Sequence, residues 1–416
     1  MTSAPRGPVT EEAPDPGWAE PHPARALVDL QAIAENTRRL NEVTPAAEVM
    51  AVVKADAYGH GQLPVARTAL QAGASWLGTA QLTEALALRA ELAADGLHPP
   101  ILAWLYSPSA ALDDGLLADI DLSVSTPAGV QQVSAAAHRT GRTARIHLKV
   151  DTGMGRGGAR AEDFGDLLHA AAQARAEGAV EITGIWSHLA RSDEPEHSFT
   201  AEQIEVFTSA LAQAGQAGID PQVRHLANSA GALFHPGAHF DLVRPGIATY
   251  GLSPVAGQNP AEVGLRPAMH LQARVVLVKD VPPGTPVSYG GTAQTSTETR
   301  LAVVPLGYAD GLPRVASDLG PVLIGGLRRQ VTGRVCMDQL VVDLQGRDHS
   351  ISEGTVVTLF GDGAQGHPTA DDWARLSGTI SYEMVSRIGT RVPRIYLPVR
   401  ESAPAGSPVI TQEATA

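Results

Sequence analysis

A single cysteine, Cys336, stands in a chain of 416 residues. One thiol cannot close an intrachain disulfide, and the usage fits a reducing cytoplasm, the location expected here. Positive charge is also scarce: 31 basic against 44 acidic residues leave a net charge of −13. That balance argues against a nucleic-acid or anionic-membrane partner. No apolar run reaches the ~20 residues of a membrane span. Residues 1–23 carry Glu11, Glu12, Pro14, Pro16, Pro21 and Pro23, with no basic start and no apolar centre. The reading is a disordered tail and not a secretory signal. Residues 401–416 read the same way, and no internal repeat is visible.

What is present suffices for two cores. The length exceeds one ordinary core, and an apolar share of 44% suits a globular chain. From about residue 28 to 256, short apolar runs alternate with alanine-rich helical stretches. A first helix over Leu30–Val43 precedes strand candidates near Glu48–Lys54, Trp76–Ala80, Ile101–Tyr106, Asp121–Ser125, Arg145–Asp151, Glu181–His188, Gln222–Asn228 and Asp241–Tyr250. Helical patterns such as Leu82–Ala94, Ala161–Arg175 and Ala201–Ala214 lie between them. Eight such alternations predict a (β/α)8 TIM-like barrel of the α/β class over residues 24–256. The last connection, near Ala230–Pro236, is short for a helix.

After Gly251 the texture changes. Helical runs vanish, and strand-like segments appear at Leu271–Val281, Arg300–Leu306, Pro321–Ile324, Val331–Leu344, Thr355–Leu359 and Arg391–Pro398. Turn signals such as Pro282-Pro283-Gly284 separate them. A mostly β domain is expected over 257–400, with the boundary near Pro254, Gly257 and Pro260.

Barrels of this kind carry their sites at the C-terminal ends of the strands, and the polar residues fall there. The first strand ends in Lys54-Ala55-Asp56-Ala57-Tyr58-Gly59-His60-Gly61. A desolvated lysine has a lowered pKa and a free lone pair, as Schiff-base chemistry requires; a lone strand-end lysine more often snorkels to water. The fifth strand runs into Lys149-Val150-Asp151-Thr152-Gly153-Met154-Gly155-Arg156-Gly157-Gly158. The sixth ends in Trp186-Ser187-His188, the seventh in His225-Leu226-Ala227-Asn228-Ser229, the eighth in Arg244-Pro245-Gly246-Ile247. Buried-strand packing explains one such ending and explains five poorly. Ser229 and the backbone of Gly246 and Ile247 suit a phosphate dianion.

Gly153–Gly158 also matches the G-x-G-x-x-G of dinucleotide sites. That reading needs an acid at the end of the next strand, and Ser187-His188 stand there instead. For Lys149 the plain alternative is a salt bridge to Asp151, and for Arg244 a pairing with Asp241. His235 and His239 are four apart, but they lie in a Pro-Gly loop without a cysteine. No metal site is expected.

The stretch Val52–Gly61 resembles the pyridoxal-phosphate lysine motif of alanine racemases. The Lys149–Arg156 stretch, Leu306-Gly307-Tyr308-Ala309-Asp310-Gly311, Gly333-Arg334-Val335-Cys336-Met337-Asp338-Gln339 and Ile380-Ser381-Tyr382-Glu383 are similar to further signatures of that family. The resemblance spans about residues 25–400. It implies racemisation of L- and D-alanine with pyridoxal 5'-phosphate, supplying D-alanine for cell-wall peptidoglycan. Lys54 would hold the cofactor and act as one base; Tyr289, in Val287-Ser288-Tyr289-Gly290-Gly291-Thr292, would be the second. Tyr58, Asn228, Ser229, Gly246, Ile247 and Tyr382 would serve the phosphate.

Arg156 would meet the cofactor's phenolic oxygen and the substrate, oriented by Lys149 as an N6-carboxylysine. Arg244 would face the ring nitrogen, backed by His225, while His188 would bond the catalytic tyrosine beside the cofactor. Met337 and Asp338 would bind the substrate carboxylate from a partner subunit, and Tyr308, Ile380 and Tyr382 would narrow the entrance. The resemblance thus implies a head-to-tail homodimer with shared sites, acting on a small amino acid. The alternatives are a same-fold racemase for serine or for a broad range of small amino acids, a silent cofactor-binding regulator, and a nicotinamide-binding protein built on Gly153–Gly158.

Overall fold

The computed structural model describes residues 17–18, 22–107, 110–346 and 349–399. Most of the first tail reading and all of the second lie outside the described residues. The chain divides into two compact units. Among the described residues, one comprises Asp29–Ala268 with Ile380–Ser386; the other contains those up to Val28, Met269–Thr379 and Arg387–Leu397. Among the described residues, no helix is long and apolar enough to cross a membrane.

After a leading strand β1 (Ala24–Asp29), the first unit builds the expected parallel sheet. Its strands are β2 (Glu48–Val52), β3 (Trp76–Gln81), β4 (Ile101–Leu105), β5 (Ile120–Val124), β6 (Ala144–Lys149), β7 (Val180–Trp186), β8 (Val223–His225) and β9 (Leu242–Val243). They run in the order β8-β7-β6-β5-β4-β3-β2-β9. The two ends meet: Asp241 N donates to Arg224 O at 3.0 Å and Arg244 N to Ala227 O at 2.9 Å. Strands covered on both faces read as continuous apolar runs, which is why all eight were visible in sequence. Met50, Trp76, Leu102, Val223 and Leu242 form a buried cluster, with Trp104 against it.

Helices start and stop where the local chemistry directs. Leu30–Val43 begins at Asp29, whose carboxylate accepts from Ala32 N at 3.1 Å. Pro127–Thr140 has Thr126 as its cap, proline in its first turn, and a left-handed Gly141 at its end. Leu82–Ala94 has the predicted bounds. The last connection is a helix of 6 residues, Ser229–Phe234.

The second unit is mostly β. Its strands are β10 (Met269–Arg274), β11 (Leu277–Val281), β12 (Pro286–Val287), β13 (Ala293–Gln294), β14 (Thr299–Val304), β15 (Pro321–Ile324), β16 (Leu327–Gln330), β17 (Leu340–Asp343), β18 (Val356–Phe360) and β19 (Arg394–Leu397). A six-stranded sheet has the order β16-β15-β18-β10-β1-β19; β11-β14-β17 form a second sheet and β12-β13 a hairpin.

Four details differ from the sequence reading. Strand β1 pairs with β10, Ala24 opposite Ala273 through Val28 opposite Met269, so residues 24–28 lie with the β unit. The run Leu271–Val281 divides into two strands that join different sheets. Of Val331–Leu344, only Leu340–Asp343 is a named strand. Helices do occur late in the chain. Ala370–Leu376 opens on a capping box in which Thr369 Oγ1 accepts from Asp372 N and Asp372 Oδ2 from Thr369 N. Ser381–Ser386 follows.

Candidate active site

A cavity of about 620 Å³ opens at the ends of the barrel strands. Its wall includes Lys54, Tyr58, Lys149, Arg156, His188, Asn228, Ser229, Arg244, Gly246, Ile247 and Tyr382, all of them residues singled out from the sequence. The volume is that of a small-molecule or cofactor site.

Lys54 leaves β2 through an unusual turn. Ala55, Asp56, Ala57 and Tyr58 are consecutively left-handed, with φ from 52 to 54°. Each such residue costs an L-amino acid about 1–2 kcal/mol. The turn is held from several sides: Ala55 N donates to Glu84 Oε1 at 2.7 Å, Gln62 N to Asp56 Oδ1 at 2.8 Å, and Gln62 Nε2 to Val53 O at 3.1 Å. Strain so over-determined points to a functional position. The Lys54 ammonium stands 5.8 Å from the Tyr58 ring and 5.9 Å from that of Trp104. Burial, and then the positive charge of Arg156, pull its pKa below the ordinary lysine value, against the opposing pull of Glu84.

Across the cavity the Gly246 backbone is bare for a steric reason. A Cβ there would lie 2.2 Å from the Tyr58 hydroxyl. Ser229 Oγ accepts from Gly246 N at 2.9 Å and from Ala248 N at 3.2 Å. Both of its lone pairs are thereby engaged, and its own proton is free to meet an anion. The Gly246 N–H expected to face a phosphate is itself engaged with Ser229. Asn228 Oδ1 accepts from Gly231 N and from Ser192 Oγ, both at 2.9 Å. Tyr382, on Ser381–Ser386, brings its ring within 6.2 Å of Tyr58.

Arg244 is buried over the face of Trp186, 4.8 Å from the ring centre. It does not pair with Asp241, whose carboxylate is turned to Arg224. Its Nη2 donates to Ser187 O at 2.7 Å and Leu226 O at 3.2 Å, and lies 3.2 Å from His188 Nδ1. Its Nη1 lies 3.2 Å from His225 Nδ1. Burial lowers its pKa to about 9, which still leaves it a cation at neutral pH.

Because the guanidinium can only donate, His188 and His225 must each offer it a bare Nδ1. His225 then carries its proton on Nε2, which faces His147 Nδ1 at 2.8 Å. His147 in turn donates from Nε2 to Asp121 Oδ2 at 3.0 Å, and Arg145 grips Asp121 at 2.8 and 3.1 Å. Each donor in this buried line finds one acceptor. Burial pushes the Asp121 carboxyl up, but the hydrogen bonds from His147 and Arg145 and the charge of Arg145 outweigh it and hold it below its usual value. Gly184 makes room, since a Cβ there would meet His147 Nδ1 at 2.2 Å.

The glycine-rich segment folds back on its own strand. Asp151 accepts from Gly153, Met154 and Gly155 N–H at 2.9–3.2 Å, and Ala159 N donates to Lys149 O at 2.9 Å. These amides serve a carboxylate of the protein, so the segment does not present a dinucleotide cradle. Asp151 forms no ion pair with Lys149 among the described residues. The Lys149 ammonium sits 4.2 Å from the Trp186 ring. Burial, then Arg244 and Arg156, lower its pKa to about 8 despite Asp151. His235 and His239 each meet a backbone carbonyl, of Ser192 at 3.0 Å and of Ala232 at 2.9 Å.

The remaining predicted residues lie in the β unit, apart from Ile380, which belongs to the barrel unit. Tyr289 is 70% exposed, Met337 52% and Tyr308 40%. Their segments are tied together: Ser288 Oγ donates to Arg334 O at 2.6 Å, Tyr308 N to Cys336 O and Ala309 N to Met337 O, both at 3.0 Å. Asp338 accepts from Arg391 at 2.7 Å. Ile380 is exposed, two residues before Tyr382. His147 and Asp121 went unnoticed in the sequence. Their signal was a charged or titratable residue inside an otherwise apolar strand.

Residues 28–254 match the family "Alanine racemase, N-terminal domain", and residues 268–396 match "Alanine racemase, C-terminal domain". The alanine racemase of Beutenbergia cavernae is 55% identical over 381 residues, 92% of this chain and 100% of that protein. The solved alanine racemase of Streptomyces coelicolor is 52% identical with a TM-score of 0.87, over 90% of this chain and 98% of that one. That of Bacillus anthracis, solved with bound L-Ala-P, is 37% identical with a TM-score of 0.81, over 91% and 95%.

Burial, then the charge of Arg244, hold His188 and His225 well below the ordinary histidine value. In the unfolded chain each titrates at about 6.5. The folded form should therefore lose stability as pH falls below about 6.5, by up to about 1.4 kcal/mol per pH unit per histidine. Ring ¹⁵N shifts should show both side chains neutral at pH 6, with His225 protonated on Nε2. Protonation of either ring near 6.5 in the folded protein would contradict this arrangement.

Proposed function

The chain belongs to the alanine racemase family, and from that premise we propose that it racemises L- and D-alanine with pyridoxal 5'-phosphate by two opposed bases. The supporting observation is the combination around one cavity: a lysine with a lowered pKa, hydroxyls against a bare glycine backbone, and a buried arginine held cationic. A phosphate monoester fits Tyr58 and Ser229, whose hydroxyls border the space beside Gly246. When bound, the cofactor supplies an electron sink that acidifies the α-hydrogen of an amino acid.

The chain's own residues account for the rest. Lys54 would hold the cofactor through its amine, and that amine would hold or take a proton on one face. Its lowered pKa brings it toward the working pH of a base. Tyr289 of the partner subunit does the same on the opposite face. A single base would have to cross from one face to the other. Arg244 keeps its proton and can only donate, so a cofactor ring nitrogen held by it would stay unprotonated. His188, with Nδ1 turned to Arg244, has its N–H on Nε2 and is a donor toward the tyrosine base. Lys149, with a pKa of about 8, has a partly neutral amine that can take up carbon dioxide and become a carbamate. Its negative charge would then orient Arg156.

A head-to-tail homodimer completes this reading. The described residues lining the cavity all belong to the barrel unit, whereas Tyr289, Tyr308 and Met337 are exposed on the β unit. The product would serve as the D-alanine supply for cell-wall peptidoglycan, in the cytoplasm.

Three measurements test these statements. Borohydride treatment of the holoprotein should fix a pyridoxyl group on the Lys54 peptide, and a coupled D-amino-acid oxidase assay should detect D-alanine formed from L-alanine. A label on Lys149 instead would refute the assignment of Lys54. Carbon-13 bicarbonate should give a carbamate NMR signal that Lys149→Arg abolishes; an unchanged spectrum in the variant would place the carbamate elsewhere. Lys54→Ala and Tyr289→Phe should each lose on the order of 10²–10⁴ in rate. Mixed with free subunit exchange, they should recover about a quarter of wild-type activity, since half the sites in hybrid dimers are intact. No recovery after demonstrated exchange would mean that both residues act within one chain, or that Tyr289 is not the second base.

A further inference from the structure

The β unit brings together two histidines and an aspartate that the proposed reaction does not use. His270 lies on β10, opposite Leu27 of β1. Asp362 and His367 lie in the segment after β18, which closes on itself through Gly361 N donating to Pro368 O at 2.7 Å. Asp362 Oδ1 is 3.1 Å from His367 Nδ1, and Asp362 Oδ2 is 3.9 Å from His270 Nε2. The two rings meet edge to face, 5.3 Å apart. One ligand atom from each residue can be chosen so that all lie within 4.8 Å of one another, and all three side chains are largely but not fully buried.

We propose that His270, Asp362 and His367 form a binding site for a divalent transition-metal ion of the zinc type, with water as the fourth ligand. Two imidazoles and one carboxylate are the donor set such ions prefer, and calcium or magnesium would want more oxygens. The spacing agrees. Zinc ligands at about 2.0–2.2 Å in a tetrahedron lie about 3.4 Å from each other. The 3.9 Å gap between His270 and Asp362 is too long for a hydrogen bond and near the span of two ligands on one ion. Closing the widest separation takes shifts of about an ångström, within reach of side-chain rotation.

The surroundings are pre-arranged. Gly361 has no side chain because a Cβ would lie 2.6 Å from His270 Nδ1. That close seat leaves Nε2 as the ring nitrogen on the Asp362 side. Asp362 Oδ1 also accepts from Ala364 N at 3.0 Å, which fixes the carboxylate. The ion would take the place of the proton between His367 Nδ1 and Asp362, and His367 would carry its one proton on Nε2 instead. Bound there, it would fasten the 361–369 segment to β10. Among the described residues this is the cluster of three such side chains whose ligand atoms converge.

The test uses tag-free holoprotein stripped with chelator, dialysed against zinc and analysed for metal content. One zinc per chain and a higher melting temperature are expected. His270→Ala/His367→Ala should lower the affinity at least tenfold and abolish the thermal shift. Cobalt in the wild-type protein should show the strong visible absorption of a four-coordinate ion, a readout that needs no variant. Failure of the wild type to take up one zinc, equal affinity in a folded double variant, or a weak six-coordinate cobalt spectrum overturns the assignment.

Discussion

The arginine buried at the end of the barrel is the constraint on which the site depends. A guanidinium out of water must find an acceptor for each N–H it turns inward, or its burial is prohibitive. Nη2 of Arg244 shares its two N–H groups among two carbonyls and His188 Nδ1, and Nη1 meets His225 Nδ1. That demand fixes the tautomers of His188 and His225, and through His225 the ring of His147. The line ends on a carboxylate, Asp121, gripped by Arg145. A cation at the cavity is thus tied to an anion across the barrel interior. Such a directional line resists reversal, because inverting one ring would set donor against donor.

The same cation acts on the lysines. It lowers the Lys149 pKa with Arg156, after burial, while Arg156 and burial act on Lys54. A cavity with several cations and little counter-charge is electrostatically incomplete by itself. An anionic ligand such as a phosphate monoester relieves that imbalance. The left-handed turn after Lys54 belongs to the same economy: it stores strain that the barrel holds, and it places Tyr58 against Gly246 where the anion would sit.

The barrel strands and several helices were legible because their signals are local. Parallel strands buried on both faces are mostly apolar runs, and Asp29, Thr126 and Gly141 mark helix ends within a turn of where they act. The departures are partly non-local. Strand β1 pairs with β10, some 245 residues away, and nothing in residues 24–28 says which sheet they will join. The late helices were missed because each is at most two turns long, too short for periodicity to show.

By itself the sequence determined the alternation that closes a barrel and the strand ends at which polar residues gather. These follow from burial and backbone preference within a few residues. Only the tertiary structure decided which of those residues share a cavity and which proton each histidine keeps. It also revealed that His147 and Asp121 lie behind Arg244, and that His270 meets Asp362 and His367. Hydrogen-bond direction and ligand convergence depend on distances of a few ångströms between side chains far apart in the chain, which no spacing along the sequence records.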